Sequence, residues 1–195
     1  IAAVGSITVV LEAGDEGAIT IKADDNLHEY VEVENDGDKL KVKMKKGTSY
    51  SSKNDIIVKV PFRDLSKVSI TGSGDVMGKD AIKGDHLALT VTGSGDMLLE
   101  MDANHLDAKV TGSGDMKLSG KTDSLEIKVS GSGDFMGYGL KAKNTEVYIS
   151  GSGDAEVVAS SSIKARVHGS GDVSYKGNPS KSDTKVLGSG SISSQ

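Results

Sequence analysis

One tetrapeptide holds most of the residues in this sequence that could do chemistry at a fixed spacing. Gly-Ser-Gly-Asp begins at Gly72, Gly93, Gly112, Gly131, Gly151 and Gly169, and a seventh copy at Gly188 reads Gly-Ser-Gly-Ser. It supplies an aspartate series, Asp75, Asp96, Asp115, Asp134, Asp154 and Asp172. It also supplies a serine series from Ser73 to Ser189. The serines do not sit in the Gly-x-Ser-x-Gly nucleophile elbow, and no histidine stands at a constant offset from them. The glycines are not spaced as a phosphate loop. A small hydroxyl that fits a tight corner and hydrogen-bonds along a stack accounts for the serines. The aspartates carry more. If the units stack in register, carboxylates recur about every 4.8 Å along one edge. At that distance two unit charges repel by roughly 0.9 kcal/mol in water and about 3.5 kcal/mol at an effective dielectric of 20. Relief comes either from amides of the carboxylate's own turn or from divalent cations bridging the rungs. Turn capping is the leading reading. A Ca²⁺ ladder along the six aspartates is the alternative, and the repeat lacks the denser acidic nonapeptide of calcium-binding β-rolls.

The other candidates are scattered. His28, His86, His105 and His168 include no pair at metal-ligand spacing. Tyr138, Tyr148 and Tyr175 could line a sugar-binding face, although partial core or edge packing is the commoner role for such residues. Arg63 and Arg166 are the only arginines, and no clustered acid–base arrangement of a β-helix polysaccharide lyase or hydrolase is visible. Cysteine is absent, which excludes disulfides and thiol chemistry. The net charge of −5 comes from 23 basic and 28 acidic residues intermixed, with no basic stripe to follow a nucleic acid. No apolar run approaches the length of a membrane-spanning helix.

The elements that must position these residues are strands. Successive first glycines lie 21, 19, 19, 20, 18 and 19 residues apart. Before each corner apolar residues alternate with polar ones, as in Leu87/Leu89/Val91 and Leu125/Ile127/Val129. The same alternation resumes after it, as in Met97/Leu99 and Ala155/Val157. Period-two patterning on both sides of a glycine corner predicts strands with one buried face. A meander of hairpins would put odd and even corners at opposite ends and would not need the same corner each time. A near-constant unit with matching residues at matching positions instead predicts a single-stranded β-helix, or solenoid, of roughly 19-residue coils. The usual hand of parallel crossovers makes it right-handed.

Residues 1–65 differ and predict an N-terminal β cap over a solenoid spanning 66–195, the two forming one continuous unit. Strand-like segments run over 7–11, 18–23, 30–34, 39–44 and 56–60, with a hairpin at Asp36-Gly37. Pro61 is expected to end the last of them. No cap is evident at the other end, where an incomplete coil at Ser189–Ile192 leaves an edge to be paired or continued. Because the chain starts at Ile1, an export signal or anchor is expected to precede it.

The N-terminal strands, the Val60 to Asp75 junction (Val-Pro-Phe, then Leu, then Val-Ser-Ile-Thr-Gly-Ser-Gly-Asp) and the serial corners resemble the putative auto-transporter adhesin head GIN-domain family over essentially the whole chain. The resemblance implies an exported, all-β, β-helix-like protein and brings no catalytic motif. The expected function is a non-enzymatic, extracytoplasmic structural or adhesive module without a cofactor. Its expected partner is a protein or glycan at the cell surface, or further copies of itself. The alternatives are a carbohydrate-active β-helix enzyme and a self-associating envelope scaffold.

Overall fold

The computed structural model describes residues 1–45, 47 and 55–195, and its architecture is a β-solenoid of about seven turns. Each turn is a pair of parallel-stacked strand segments meeting at the glycine corner. The strands before the corners are β7 (Lys67–Gly72), β9 (Ile82–Gly93), β14 (Ser162–Gly169) and β16 (Lys181–Gly188). Those after them are β8 (Val76–Gly78), β13 (Ala155–Val158), β15 (Val173–Lys176) and β17 (Ile192–Ser194). In the middle of the stack β10 (Met97–Gly112), β11 (Met116–Gly131) and β12 (Phe135–Gly151) run without a break from one corner to the next.

The register is strict. Gly72, Gly93, Gly112, Gly131, Gly151, Gly169 and Gly188 lie one above another. One departure from the 19-residue unit has a local cause. The 20-residue unit contains a β-bulge, where Gly137 and Tyr138 face Leu118 alone and the register shifts between Lys117 and Ser119. Inward positions hold one continuous core of Val, Ile, Leu, Met and Ala, with Phe62 and Phe135 its largest members. Two buried threonines fit because their hydroxyls are satisfied by backbone carbonyls. Thr145 donates to Val158 at 2.8 Å and Thr122 to Ser124 at 3.0 Å.

Stacking explains the glycines. The first glycine of each corner has φ between +117° and +136°, a region open to few other residues. A Cβ on either corner glycine would also overlap the carbonyl of the matching residue one coil back. The first glycine's carbonyl accepts two amides from the next coil, as Ser113 and Gly114 do on Gly93 at 2.8 and 3.1 Å.

The N-terminal region joins the same stack in an order the sequence does not reveal. The chain begins with β1 (Ala2–Gly5) and β2 (Thr8–Ala13), which form a coil of their own with Gly5 beneath Gly72. On its other side lies a coil built from β5 (Lys39–Met44) and β6 (Ile57–Phe62), which pair in parallel with β1 and β2. The first strands are therefore inserted between later ones. The outer edge of that coil is covered by two antiparallel strands, β3 (Thr20–Lys22) on β6 and β4 (Val31–Asp36) on β5. Covering an edge in this way removes a template for aggregation.

The Asp36-Gly37 hairpin is present, with Gly37 at φ +59°. Other expectations need correction. Residues 25–30 form a 3-10 turn that buries Leu27, so the strand expected from Tyr30 begins at Val31. Pro61 lies within β6 rather than ending it, which its missing N–H allows because β3 pairs only with Ile57–Lys59. At the far end the last coil turns polar inside. Ser182 and Thr184 replace Ile163 and Ala165 of the coil before, and both are exposed.

Candidate functional site

The aspartates line up as expected, but they are held differently. Each carboxylate accepts the backbone N–H of the next aspartate, one coil on, rather than an amide of its own turn. Asp75 receives Asp96, Asp96 receives Asp115 and Asp115 receives Asp134, at 2.9, 2.8 and 2.9 Å. Asp134 receives Asp154 and Asp154 receives Asp172, both at 2.8 Å. The series ends where Ser191 donates both its amide and its hydroxyl to Asp172, at 2.7 and 2.9 Å. One oxygen of each aspartate is thus spent on the stack, in a charge-assisted bond that offsets the repulsion between rungs. Among the described residues no group of three or more acidic, histidine or cysteine side chains is arranged to hold a metal ion.

The corner serines are all exposed, and their amides, not their hydroxyls, make the contacts along the stack. Histidines 86 and 105 stack on adjacent coils with ring centroids 6.2 Å apart, and His86 Nε2 meets Asp107 Oδ2 at 2.9 Å on the open surface. The three tyrosines do not form one platform. Tyr175 stacks on Val157 and packs against the core. Tyr138 lies under the Lys176 ammonium, 4.0 Å from the ring centre. Tyr148 is on the pre-corner face, where its hydroxyl donates to Glu146 at 2.6 Å and Lys164 donates to the same oxygen at 3.1 Å. The Tyr148 hydroxyl, and after it Lys164, hold the Glu146 carboxyl below its ordinary range. Likewise Arg166 holds Asp183 below the usual carboxylate value. On this face acidic and basic columns neutralise one another.

The post-corner face is different. Beside the aspartate series runs an outward column of Val10, Met77, Leu98, Lys117 and Met136, in register on consecutive coils. Met77 is 42% and Leu98 46% exposed. Sequence reading missed this column because Val10 belongs to the disguised first coil and because period two assigns such positions to solvent.

Two adjoining clefts of about 490 and 470 Å³ lie at the N-terminal end, sharing Ile1, Asp38, Asp64, Leu65 and Ser66. They gather carboxylates outside the corner series beside an apolar wall that includes Pro61 and Phe62, but Phe62 is buried and offers no stacking face.

With this geometry in view, comparison with known families is decisive. The family model described as "Putative auto-transporter adhesin, head GIN domain" matches residues 1–179. The chain belongs to that family. Solved structures agree on the fold. A "putative adhesin" from Bacteroides fragilis superposes with a TM-score of 0.91 at 23% identity, over 100% of this chain and 91% of that one. A "putative adhesin" from Parabacteroides distasonis gives 0.78 at 23%, over 100% and 92%. A protein of the same organism named a "putative lipid binding protein" gives 0.78 at 24%, over 100% and 91%. Comparison with curated proteins finds no match. The family and these neighbours carry adhesin or binding names rather than enzyme names.

Proposed function

We propose that this chain is a non-enzymatic, extracytoplasmic adhesive module that presents the flat outer faces of its solenoid to a protein or glycan ligand. The observation that carries this reading is the in-register stacking itself, which makes each outward position a straight column and each side of the coil an extended surface. Repeat solenoids bind through such surfaces. The adhesin description of the family supports the same reading and an extracytoplasmic setting. In the repeated corner, the densest set of chemical groups in the sequence, the glycines, the serine amides and one oxygen of each aspartate are spent on the stack. The test is a glycan array and a panel of purified extracellular-matrix proteins probed with the whole chain. Saturable binding that is lost when outward residues of one face are replaced supports the proposal. Binding to none of them, or binding unchanged by replacements on every face, contradicts it.

A further inference from the structure

Exposed apolar side chains scattered singly on a protein need no explanation. Here they are not scattered. Two of the four large apolar side chains that stand exposed among the described residues, Met77 and Leu98, are direct neighbours in one column. Val10 extends the column on one side, and on the other Met136 follows after the exposed Lys117, which interrupts the apolar run. Two residues back along each coil, past one buried side chain, runs the aspartate series. Each aspartate gives one oxygen to the amide of the next coil, and its second oxygen has no partner among the described residues. An apolar stripe and an acidic stripe thus run side by side along the solenoid axis.

We propose that this post-corner face docks a basic amphipathic helix laid along the axis, its apolar stripe on Val10, Met77, Leu98 and Met136 and its Lys or Arg flank on the aspartates. The spacing selects a helix. Rungs recur about every 4.8 Å, and the i, i+3/i+4 stripe of a helix places side chains about every 5.2 Å. Over the four steps from Val10 to Met136 the mismatch grows to only about 2 Å. An extended peptide laid along the axis repeats its facing side chains about every 6.8 Å and loses register by the second rung. The described residues of a second copy offer no such helix, since their only helical segment is the short 3-10 turn at Asp25–Tyr30. The acidic stripe selects a cationic partner and would repel an anionic membrane.

This deepens the binding-module reading and rests on it. The test uses the whole chain and a fluorescent Leu/Lys peptide of roughly five helical turns with leucines at i, i+3, i+4 and i+7. Anisotropy should give saturable 1:1 binding that weakens about tenfold or more in Met77→Lys/Leu98→Lys. Asp96→Asn/Asp115→Asn, which keeps the acceptor oxygen for the stack, should weaken binding and flatten its salt dependence. Thr90→Lys, on the pre-corner face, should leave it unchanged. A Leu/Lys peptide of alternating pattern should bind at least tenfold less tightly. Equal affinity for both peptides, or insensitivity to Met77→Lys/Leu98→Lys, overturns the proposal, as does tighter binding to phosphatidylcholine vesicles than to the helical peptide. Any of these results leaves intact a glycan or matrix ligand found on the other faces, so the two readings fail separately.

Discussion

Gly114→Ala is the sharpest perturbation of the stack. Gly114 has no positive φ, so the substitution acts by contact alone. An added Cβ would lie 3.0 Å from the carbonyl carbon and amide nitrogen of Gly95 and closer still to its carbonyl oxygen. Those are backbone atoms of a neighbouring coil and cannot rotate away. Relief requires the corner to lift by roughly an ångström, enough to break or badly stretch its bonds. At stake are Ser113 and Gly114 on the Gly93 carbonyl, at 2.8 and 3.1 Å, and Asp115 on the Asp96 carboxylate at 2.8 Å. Two neutral bonds near 1 kcal/mol and one charged bond near 2 kcal/mol give a loss of about 4 kcal/mol. With a urea slope of about 2 kcal/mol/M, the unfolding midpoint should fall by about 2 M. Gly17→Ala is the control, because nothing lies within 4 Å of a Cβ there, and it should shift the midpoint by less than about 0.3 M. Equal midpoints for the two variants would refute in-register stacking as the reason for the glycines.

Other expectations follow from the same geometry. Asp115→Ala leaves the Asp134 amide without its acceptor and should cost about 1–3 kcal/mol in chemical denaturation, whereas Asp115→Asn, which keeps an acceptor oxygen, should cost less than half as much. Because these carboxylates already serve amides, calorimetric titration with Ca²⁺ at millimolar concentration should show no saturable heat and no change in Tm, and a saturable heat abolished by Asp115→Asn would restore the calcium ladder. The Glu146 carboxyl is lowered by Tyr148 and Lys164. Its contribution to stability is therefore present above the ordinary glutamate pKa and lost as pH falls through the lowered value. NMR titration of Glu146 should give a midpoint below the ordinary glutamate value that moves upward in Tyr148→Phe, and no movement would contradict the assignment.

Much of this fold is legible in the sequence because its strictest constraint is local. A corner that touches the carbonyl of the coil before it admits only glycine, and Gly-x-Gly therefore repeats at every corner from Gly72 to Gly190. The exception shows the rule. Gly5-Ser6-Ile7 is a corner of the same stack, with Gly74 lying over the Ile7 carbonyl. Ile7 keeps a side chain, buried at 1% exposure, where the later corners have their second glycine. That residue hides the first coil from a search for repeats. The insertion of β1 and β2 between strands that follow them is not legible either, since parallel pairing of Ala2 with Lys41 and with Ser69 depends on contacts far apart in the chain. The aspartates were visible as a series, but the partner of each carboxylate was not, because an amide one coil away is near only after stacking. The apolar column of the candidate site was hidden for the same reason: Val10, Met77 and Leu98 become neighbours only in the assembled stack.

The proposed function requires that the faces bind and do not catalyse. The most direct measurement incubates the chain with a panel of surface polysaccharides and matrix proteins and reads, in the same samples, the bound fraction and the release of reducing ends. Saturable retention of an intact ligand, with no product above the protein-free control, is the expected result. Product release that is abolished by Asp38→Asn or Asp64→Asn in the N-terminal clefts would contradict it and give the acidic clefts a catalytic role.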